Sequence, residues 1–201
     1  MKLAAVVLAA GKSERMGRNK LLLKVDGRPI LDLLLTALDV SPVNEVFVVL
    51  GHRLEELRAI VEAHGAEAVF NPDYEEGMTS SFKAGLRQVS AEAAFLVLGD
   101  QLGLEAELLE TMAVTMELDP EALIVSPVYQ GRRGHPVLFR RALFAEILSL
   151  GEGETLRDLV LRHESAHRFV EGSLWCVLDL DTPQDFEKAK KLFETSRGAA
   201  P

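Results

Sequence analysis

Six short apolar runs alternate with seven helix-like segments along this chain, and the alternation is the strongest constraint on its fold. The expected strands are Leu3–Leu8, Val46–Leu50, Ala68–Phe70, Phe95–Leu98, Leu123–Pro127 and Trp175–Leu178. The expected helices are Ile30–Leu38, Leu54–His64, Ser80–Val89, Glu105–Glu117, Ala142–Leu148, Thr155–Arg162 and Pro183–Phe193. This pattern predicts an α/β fold, a single-domain Rossmann-like three-layer sandwich with a mostly parallel sheet. Ligands of such folds bind beyond the carboxyl ends of the strands.

The composition narrows the expected size, compartment and partners. At 201 residues the chain fits one domain, which we expect over residues 1–195, followed by a flexible tail at 196–201. The net charge of −9 argues against a nucleic-acid partner, so a bound anion needs locally clustered cations. Cys176 is the single cysteine and excludes an intrachain disulfide. Without a signal-peptide pattern, or an apolar run near the roughly 20 residues that span a bilayer, we expect a cytoplasmic protein with no membrane partner.

The segment after the first expected strand looks suited to holding phosphates. Residues 8–20 read LAAGKSERMGRNK and combine two glycines with the cations Lys12, Arg15, Arg18 and Lys20. A loop of this kind at the carboxyl end of a strand exposes backbone N–H groups and clusters positive charge. It is not a P-loop, because the second glycine of that motif would fall on Met16 and here comes one place later, at Gly17.

Four other segments stand at ends of expected elements. Gly99-Asp100-Gln101 follows the strand Phe95–Leu98, where an acidic side chain would face the ligand crevice. Residues 71–81 read NPDYEEGMTSS and lead into a helix. Residues 134–136 read GHP within an expected turn or hairpin, and residues 179–185 read DLDTPQD just before the last helix.

Taken in this order, the motifs LAAG-x-S-x-R-M-G-x-x-K, N-P-x-x-x-x-G-M-x-x-S, G-D-Q, G-H-P and D-L-D-T-P resemble those of the molybdenum cofactor cytidylyltransferase family. These are MobA-like nucleotidyltransferases, and the resemblance extends from Leu8 to Phe186. It departs from the family pattern at Leu102, where relatives have proline after G-D-Q.

The resemblance implies a nucleotide site in the first half of the chain. The first loop would wrap the triphosphate with the backbone of residues 8–11, while Arg15 and Lys20 would pair with phosphate oxygens. Gly77 and Ser81 would face the nucleobase, although Ser80 and Ser81 could instead be helix N-caps. The implied nucleotide-binding set is Leu8, Ala9, Ala10, Gly11, Arg15, Lys20, Gly77, Ser81 and Asp100.

The resemblance also implies a metal site and an acceptor site. Asp100 and Asp181 would bind Mg²⁺, with Mn²⁺ as a possible substitute, and would be catalytic together with Arg15 and Lys20. Asp179 is an alternative ligand. Asp100 and Asp181 could instead cap the helices that follow them. His135 and Arg133 would face the acceptor, or serve only structural roles in the hairpin.

The implied reaction transfers CMP from CTP to the terminal phosphate of molybdenum cofactor (molybdopterin) and releases pyrophosphate. The alternatives are a GTP-dependent guanylyltransferase and a non-catalytic cofactor carrier or insertion factor for molybdenum hydroxylases, which are the expected clients. Retaining both cations and both carboxylates favours the enzyme over the carrier.

Overall fold

The structure, a computed structural model, describes residues 1–12, 19–52 and 54–198. The strands are β1 Leu3–Ala9, β2 Lys24–Val25, β3 Arg28–Pro29, β4 Glu45–Leu50, β5 Glu67–Phe70, β6 Ala93–Leu98, β7 Ile124–Tyr129, β8 Arg132–Arg133, β9 Val137–Arg140 and β10 His167–Glu171. The helices are α1 Ile30–Asp39, α2 Leu54–Ala63, α3 Met78–Leu86, α4 Ala106–Leu118, α5 Phe144–Ser149, α6 Leu156–Arg162 and α7 Pro183–Gly198. None of these helices is long and apolar enough to cross a bilayer.

The main sheet runs in the order β10-β7-β9-β6-β1-β4-β5, with β8 paired to β7. Strands β1, β4, β5 and β6 pair in parallel, and so do β7 and β10. Strand β9 runs antiparallel between β6 and β7, and β2 and β3 form a separate small hairpin. The prediction of an α/β fold with a mostly parallel sheet is confirmed.

Strand β1 lies at the centre of the sheet and is buried on both faces. Ala5 and Val7 pack on one side with apolar residues of α1 and α4, while Ala4 and Val6 pack on the other with residues of α3, α5 and α6. This two-sided burial explains why β1 reads as a continuous apolar run rather than an alternating one. A third cluster packs α7 against the β2–β3 hairpin and brings the C-terminal segment back over the first half of the chain.

The C-terminal third differs from the sequence prediction in two places. The predicted strand Trp175–Leu178 is wrong: Leu174–Cys176 form a 3₁₀ turn, and the strand that pairs with β7 is β10, at His167–Glu171. Cys176 and Val177 are buried against the core but do not join the sheet, so the apolar run here reflects burial rather than strand pairing. Helix α7 extends to Gly198, so the first three residues of the expected tail are helical.

Candidate active site

A pocket of about 690 Å³ opens at the carboxyl ends of β1 and β6. The two strands come close together here, because Gly99 donates its N–H to the Leu8 carbonyl at 3.0 Å. A Cβ on Gly99 would lie 2.7 Å from that oxygen, so only glycine fits. Most residues that the sequence assigns to the site line this pocket: Leu8, Ala9, Ala10, Gly11, Lys20, Gly77, Ser81, Asp100 and Asp181. Arg15 lies outside the described residues.

Lys20 enters the pocket from a short 3₁₀ turn, Lys20–Leu22. The buried side chain of Asn19 caps this turn by accepting a hydrogen bond from the N–H of Leu21 at 3.1 Å. The ammonium group of Lys20 contacts Asp100 Oδ2 and lies 3.6 Å from Asp181 Oδ1. One cation therefore joins the segment after β6 to the segment before α7.

Neither of these carboxylates caps a helix. Helix α4 begins at Ala106 with Glu105 at its N-cap, five residues beyond Asp100. At the start of α7 the cap is Thr182, whose N–H donates to Asp185 Oδ2 at 3.0 Å and whose Oγ1 accepts from the Asp185 N–H at 3.2 Å. The capping alternatives for Asp100 and Asp181 are therefore wrong, and both side chains are left to face the pocket.

The donor set suits a Mg²⁺ or Mn²⁺ ion bound together with a triphosphate. Such ions take oxygen ligands, usually one or two carboxylates with the rest supplied by phosphate and water. Asp100 and Asp181 converge on a single cation and supply that number of carboxylates. Within the described ranges no cluster of three or more metal-binding side chains forms, so a protein-only metal cage is not present there.

The segment between β5 and α3 forms a second wall of the pocket. Gly77 has a φ of +102°, which favours glycine, and it stands at the N-cap of α3, so Ser80 and Ser81 are not the caps. The buried amide of Asn71 donates to the hydroxyls of Ser80 at 3.0 Å and Ser81 at 3.2 Å. Ser81 lines the pocket with its hydroxyl already accepting a hydrogen bond, so its own proton can be donated to a ligand.

Several residues that line the pocket were not assigned to the site from the sequence, among them Tyr74 and Met78. Tyr74 packs on Gly51, where a Cβ would lie 2.6 Å from the tyrosine ring, and Met78 stands beside it in the pocket wall. Together they provide apolar surface in the wall of the pocket. Glu75 crosses towards the first loop and pairs with Lys12 at 2.5 Å. In the sequence, the glycine directly after β4, Gly51, indicated that another group packs closely at the end of that strand.

The GHP segment is hydrogen-bonded to Gln101, the residue that follows Asp100. The N–H of His135 donates to the Cys176 carbonyl at 2.8 Å, and Gln101 donates its side-chain amide to the His135 carbonyl at 2.7 Å. Burial lowers the pKa of His135, although the charges of Asp100 and Asp179 oppose this effect. The ring is therefore held neutral, and its Nδ1 is buried with no hydrogen-bond partner in the described part of the chain.

Arg133 is placed away from this pocket. Its guanidinium pairs with Glu164, with 3.1 Å between Nη1 and Oε2, and lies 4.7 Å from the centre of the Phe169 ring. These contacts hold the side chain along β10. The structure thus places His135 near Asp100 and Asp179 but not among the residues that line the pocket. It leaves Arg133 in a surface ion pair, which is the structural alternative for that residue.

Comparison with known proteins identifies the family to which the chain is similar. Residues 5–167 match the family described as MobA-like NTP transferase domain. The chain is 28% identical to molybdenum cofactor cytidylyltransferase of Escherichia coli, over 94% of this chain and 95% of that protein. It is 30% identical to nicotine blue oxidoreductase of Paenarthrobacter nicotinovorans, over 79% of this chain and 81% of that protein. The manganese complex of Rv0371c from Mycobacterium tuberculosis superposes with a TM-score of 0.76 at 25% identity, covering 95% of this chain and 98% of that one.

Proposed function

The chain belongs to the MobA-like NTP transferase family and is a nucleotidyltransferase, and from this premise we propose that it acts on molybdenum cofactor. In the proposed reaction it transfers CMP from CTP to the terminal phosphate of a molybdopterin-type cofactor and releases pyrophosphate. The observation that carries the proposal is the convergence of Asp100 and Asp181 on Lys20 in a pocket walled by Gly77 and Ser81. The Escherichia coli cytidylyltransferase among its relatives supports the choice of substrate.

The proposed chemistry needs positioning and charge stabilisation rather than a protein nucleophile. An oxygen of the acceptor phosphate forms a bond to the α-phosphorus, and the bond from that phosphorus to the oxygen of the leaving pyrophosphate breaks. The attacking oxygen is already anionic, so no general base is required. A divalent metal on Asp100 and Asp181, proposed to be Mg²⁺, would neutralise charge on the phosphates.

Each protein group then has a definable task in this proposal. Lys20, with Arg15 from the first loop, pairs with the phosphates that become pyrophosphate. The backbone after β1 lets the triphosphate approach closely. Neutral His135, hydrogen-bonded through its backbone to Cys176 and Gln101, borders the acceptor side of Asp100. Holding both substrates in one orientation supplies much of the rate enhancement in reactions of this kind.

The base is the finer part of the proposal. Ser81 can donate to a base acceptor such as cytosine O2 or N3, and Tyr74 and Met78 offer apolar surface for a ring. These contacts are compatible with CTP but would not exclude guanine by themselves, because guanine also carries acceptors. The preference for CTP therefore rests on the sequence motifs and on the cytidylyltransferase relative. We further propose a cytoplasmic reaction whose product is delivered to a molybdenum hydroxylase.

Pyrophosphate release tests this proposal. The wild-type chain is incubated with Mg²⁺, molybdenum cofactor and either CTP or GTP, and released pyrophosphate is measured by a coupled assay. We expect release with CTP, and a loss of at least about 10²-fold in Asp100→Asn, the order of magnitude for removing one preorganised charge stabiliser. Lys24→Met is the matched control, because Lys24 is an exposed cation on β2 outside the lining of the pocket.

Two results would overturn parts of this function. Release with GTP alone would replace CTP by GTP while keeping the transferase chemistry. Release with neither nucleotide, from protein that binds molybdenum cofactor, would favour the carrier.

A further inference from the structure

We propose that Lys20 holds the place of the divalent metal between Asp100 and Asp181, so that metal and triphosphate bind as a coupled pair. The ammonium group leaves the two carboxylates when the metal arrives, and the triphosphate offers it new anionic partners. This inference rests on the proposed function, because it assumes that the pocket takes a metal–nucleotide complex.

The position of the ammonium group is the first argument. It contacts Asp100 Oδ2 and lies 3.6 Å from Asp181 Oδ1, so both oxygens proposed as metal ligands already face one positive charge. The side chains of Lys20 and Asp100 are 23% and 17% exposed, whereas that of Asp181 is 54% exposed. Solvent screens the contact with Asp181 more strongly, so Asp100 carries most of the attraction.

Charge is the second argument. Two neighbouring carboxylates repel one another, and the ammonium group compensates for this in the free protein. A divalent ion entering alone must displace Lys20 or bind beside it, and either choice places cations close together without added anions. The metal alone should therefore bind weakly. A triphosphate makes binding of the metal favourable, because its oxygens bind the displaced ammonium group.

A second lysine in the same pocket shows the same arrangement. Lys12 pairs with Glu75 at 2.5 Å and lies 5.9 Å from the centre of the Tyr74 ring. Each of the two lysines that line the described pocket thus contacts a carboxylate of the protein. Exchanging these carboxylates for phosphates would release Asp100 and Asp181 to the metal and Glu75 to solvent.

Linkage turns the exchange into a measurable coupling. If triphosphate raises the affinity for the metal by some factor, the metal raises the affinity for triphosphate by the same factor. Removing the ammonium group should reduce that factor by strengthening the binding of metal alone, because Lys20 then no longer competes with the metal for the two carboxylates. Lys20→Met should therefore bind metal alone more tightly than wild type, although it loses a phosphate-binding group.

Direct titration of Mn²⁺ tests the inference without using turnover. Free Mn²⁺ is measured by electron paramagnetic resonance for wild type, Lys20→Met and the control Lys24→Met, each alone and with saturating CTP or inorganic tripolyphosphate. Mn²⁺ that the same anion binds without protein is measured in parallel and subtracted. We expect wild type and Lys24→Met to bind Mn²⁺ at least tenfold more tightly with either anion. We expect Lys20→Met to bind Mn²⁺ alone at least about tenfold more tightly than wild type, with a smaller gain from the anion. The wild-type gain keeps the test valid if Lys20→Met folds poorly, and Lys20→Gln provides a second variant.

The outcomes separate this inference from the function on which it rests. Mn²⁺ binding that is equally tight with and without anion in wild type overturns the coupling, even if pyrophosphate release occurs. Weaker binding of Mn²⁺ alone in both folded Lys20 variants also overturns it. Wild type that binds neither Mn²⁺ nor CTP under any condition overturns the inference and the proposed function together.

Discussion

Asn71 shows how one buried side chain can organise a ligand-facing segment from behind. Its amide donates to Ser80 and Ser81, and its Oδ1 accepts from the N–H of Asp73 at 3.1 Å. The residue is 3% exposed and does not line the pocket, so it acts on a ligand only through its neighbours. Because the Ser81 hydroxyl oxygen accepts a hydrogen bond from Asn71, the hydroxyl proton of Ser81 can be donated to a ligand.

We predict that Asn71→Ala lowers the free energy of unfolding by about 1–3 kcal/mol, because it leaves buried hydrogen-bonding groups without partners. Chemical denaturation measures the change. Ser80→Ala serves as the control. It removes one of the three Asn71 hydrogen bonds and the exposed bond from the Ser80 hydroxyl to the Asp73 carbonyl at 2.9 Å, with an expected loss below about 1 kcal/mol. Equal losses in both variants would show that Asn71 does not organise the segment.

Nine of the predicted site residues line one pocket, but the contacts that each of them makes could not be predicted from the sequence. A serine or aspartate near a helix start can be a cap or a ligand contact, and the choice depends on backbone positions that the motif does not contain. At α7 the cap is Thr182, which exchanges hydrogen bonds with Asp185, so Asp181 is not the cap of this helix. For Arg133 the deciding partner is Glu164, which is 31 residues away in the chain.

At the scale of elements, the packing of α3 on the sheet determines where Ser81 lies. Gly85 faces β1 and β4 so closely that an added Cβ would lie 2.4 Å from Val6 Cγ1 and 2.8 Å from Val49 Cγ2. Glycine in a helix costs about 1 kcal/mol relative to alanine, so intrinsic propensity alone would favour replacing it. The close packing outweighs that preference here.

We predict that Gly85→Ala destabilises the protein by up to about 2 kcal/mol, because overpacking of about 1–3 kcal/mol exceeds the gain in helix propensity. Thermal and chemical denaturation measure it. The double variant Gly85→Ala with Val6→Ala tests the cause, because it removes the methyl group that the new Cβ would meet. A single variant more stable than wild type would contradict the packing argument.

Helices α1 and α2 are joined by a titratable link. His64, directly after α2, bonds Asp39 at 2.6 Å and Asp32 at 3.0 Å. Burial opposes the charged ring, but the two carboxylates outweigh burial and raise the pKa of His64. A raised folded-state pKa stabilises the protein fully below the unfolded-state value of about 6.5, and the stabilisation is lost as pH rises through the folded-state value.

We therefore predict that His64→Gln is destabilising at pH 6 and much less so at pH 9. Urea denaturation of wild type and variant at both pH values gives the difference. Asp39→Asn should shrink the pH dependence of wild type, because it removes one of the two carboxylates that favour the charged ring. A loss of stability in His64→Gln that is equal at pH 6 and pH 9 would show that the link does not depend on charge.

Strands buried on both faces were the elements that the sequence predicted best, since β1, β4 and β6 read as apolar runs between turns. Edge strand β10 was missed because His167, Arg168 and Glu171 interrupt its apolar pattern. The opposite error occurred at Trp175–Leu178, where an apolar run marks burial without strand pairing. Apolar runs report burial, and only tertiary context tells whether a ladder partner is available.

At the scale of the whole molecule, two apolar layers share one sheet. The same strand, β1, contributes alternate residues to both layers, so neither layer can separate from the sheet without disrupting the packing of the other. The third cluster ties α7 and the β2–β3 hairpin to this body.

We predict that the chain unfolds in one cooperative transition, as expected for a single domain over residues 1–195. Differential scanning calorimetry should give a ratio of calorimetric to van 't Hoff enthalpy close to one. Truncation after Ser196 should leave the transition unchanged, whereas truncation after Leu192 should lower the melting temperature, because Phe193 is buried in the third cluster. Two resolved transitions would divide the chain into separate domains.

The central place of β6 has a consequence for the timescales of motion around the pocket. Strand β6 is hydrogen-bonded on both sides, by β1 along its length and by β9 over its first four residues, and Asp100 lies two residues beyond its end. Amides of such strands exchange with solvent mainly when the entire protein opens, whereas short 3₁₀ turns and loops exchange through local fluctuations. We therefore expect the amides of β6 to exchange more slowly than those of residues 20–22 and 74–76. The segments around the pocket can fluctuate locally while the strand that leads to Asp100 remains folded.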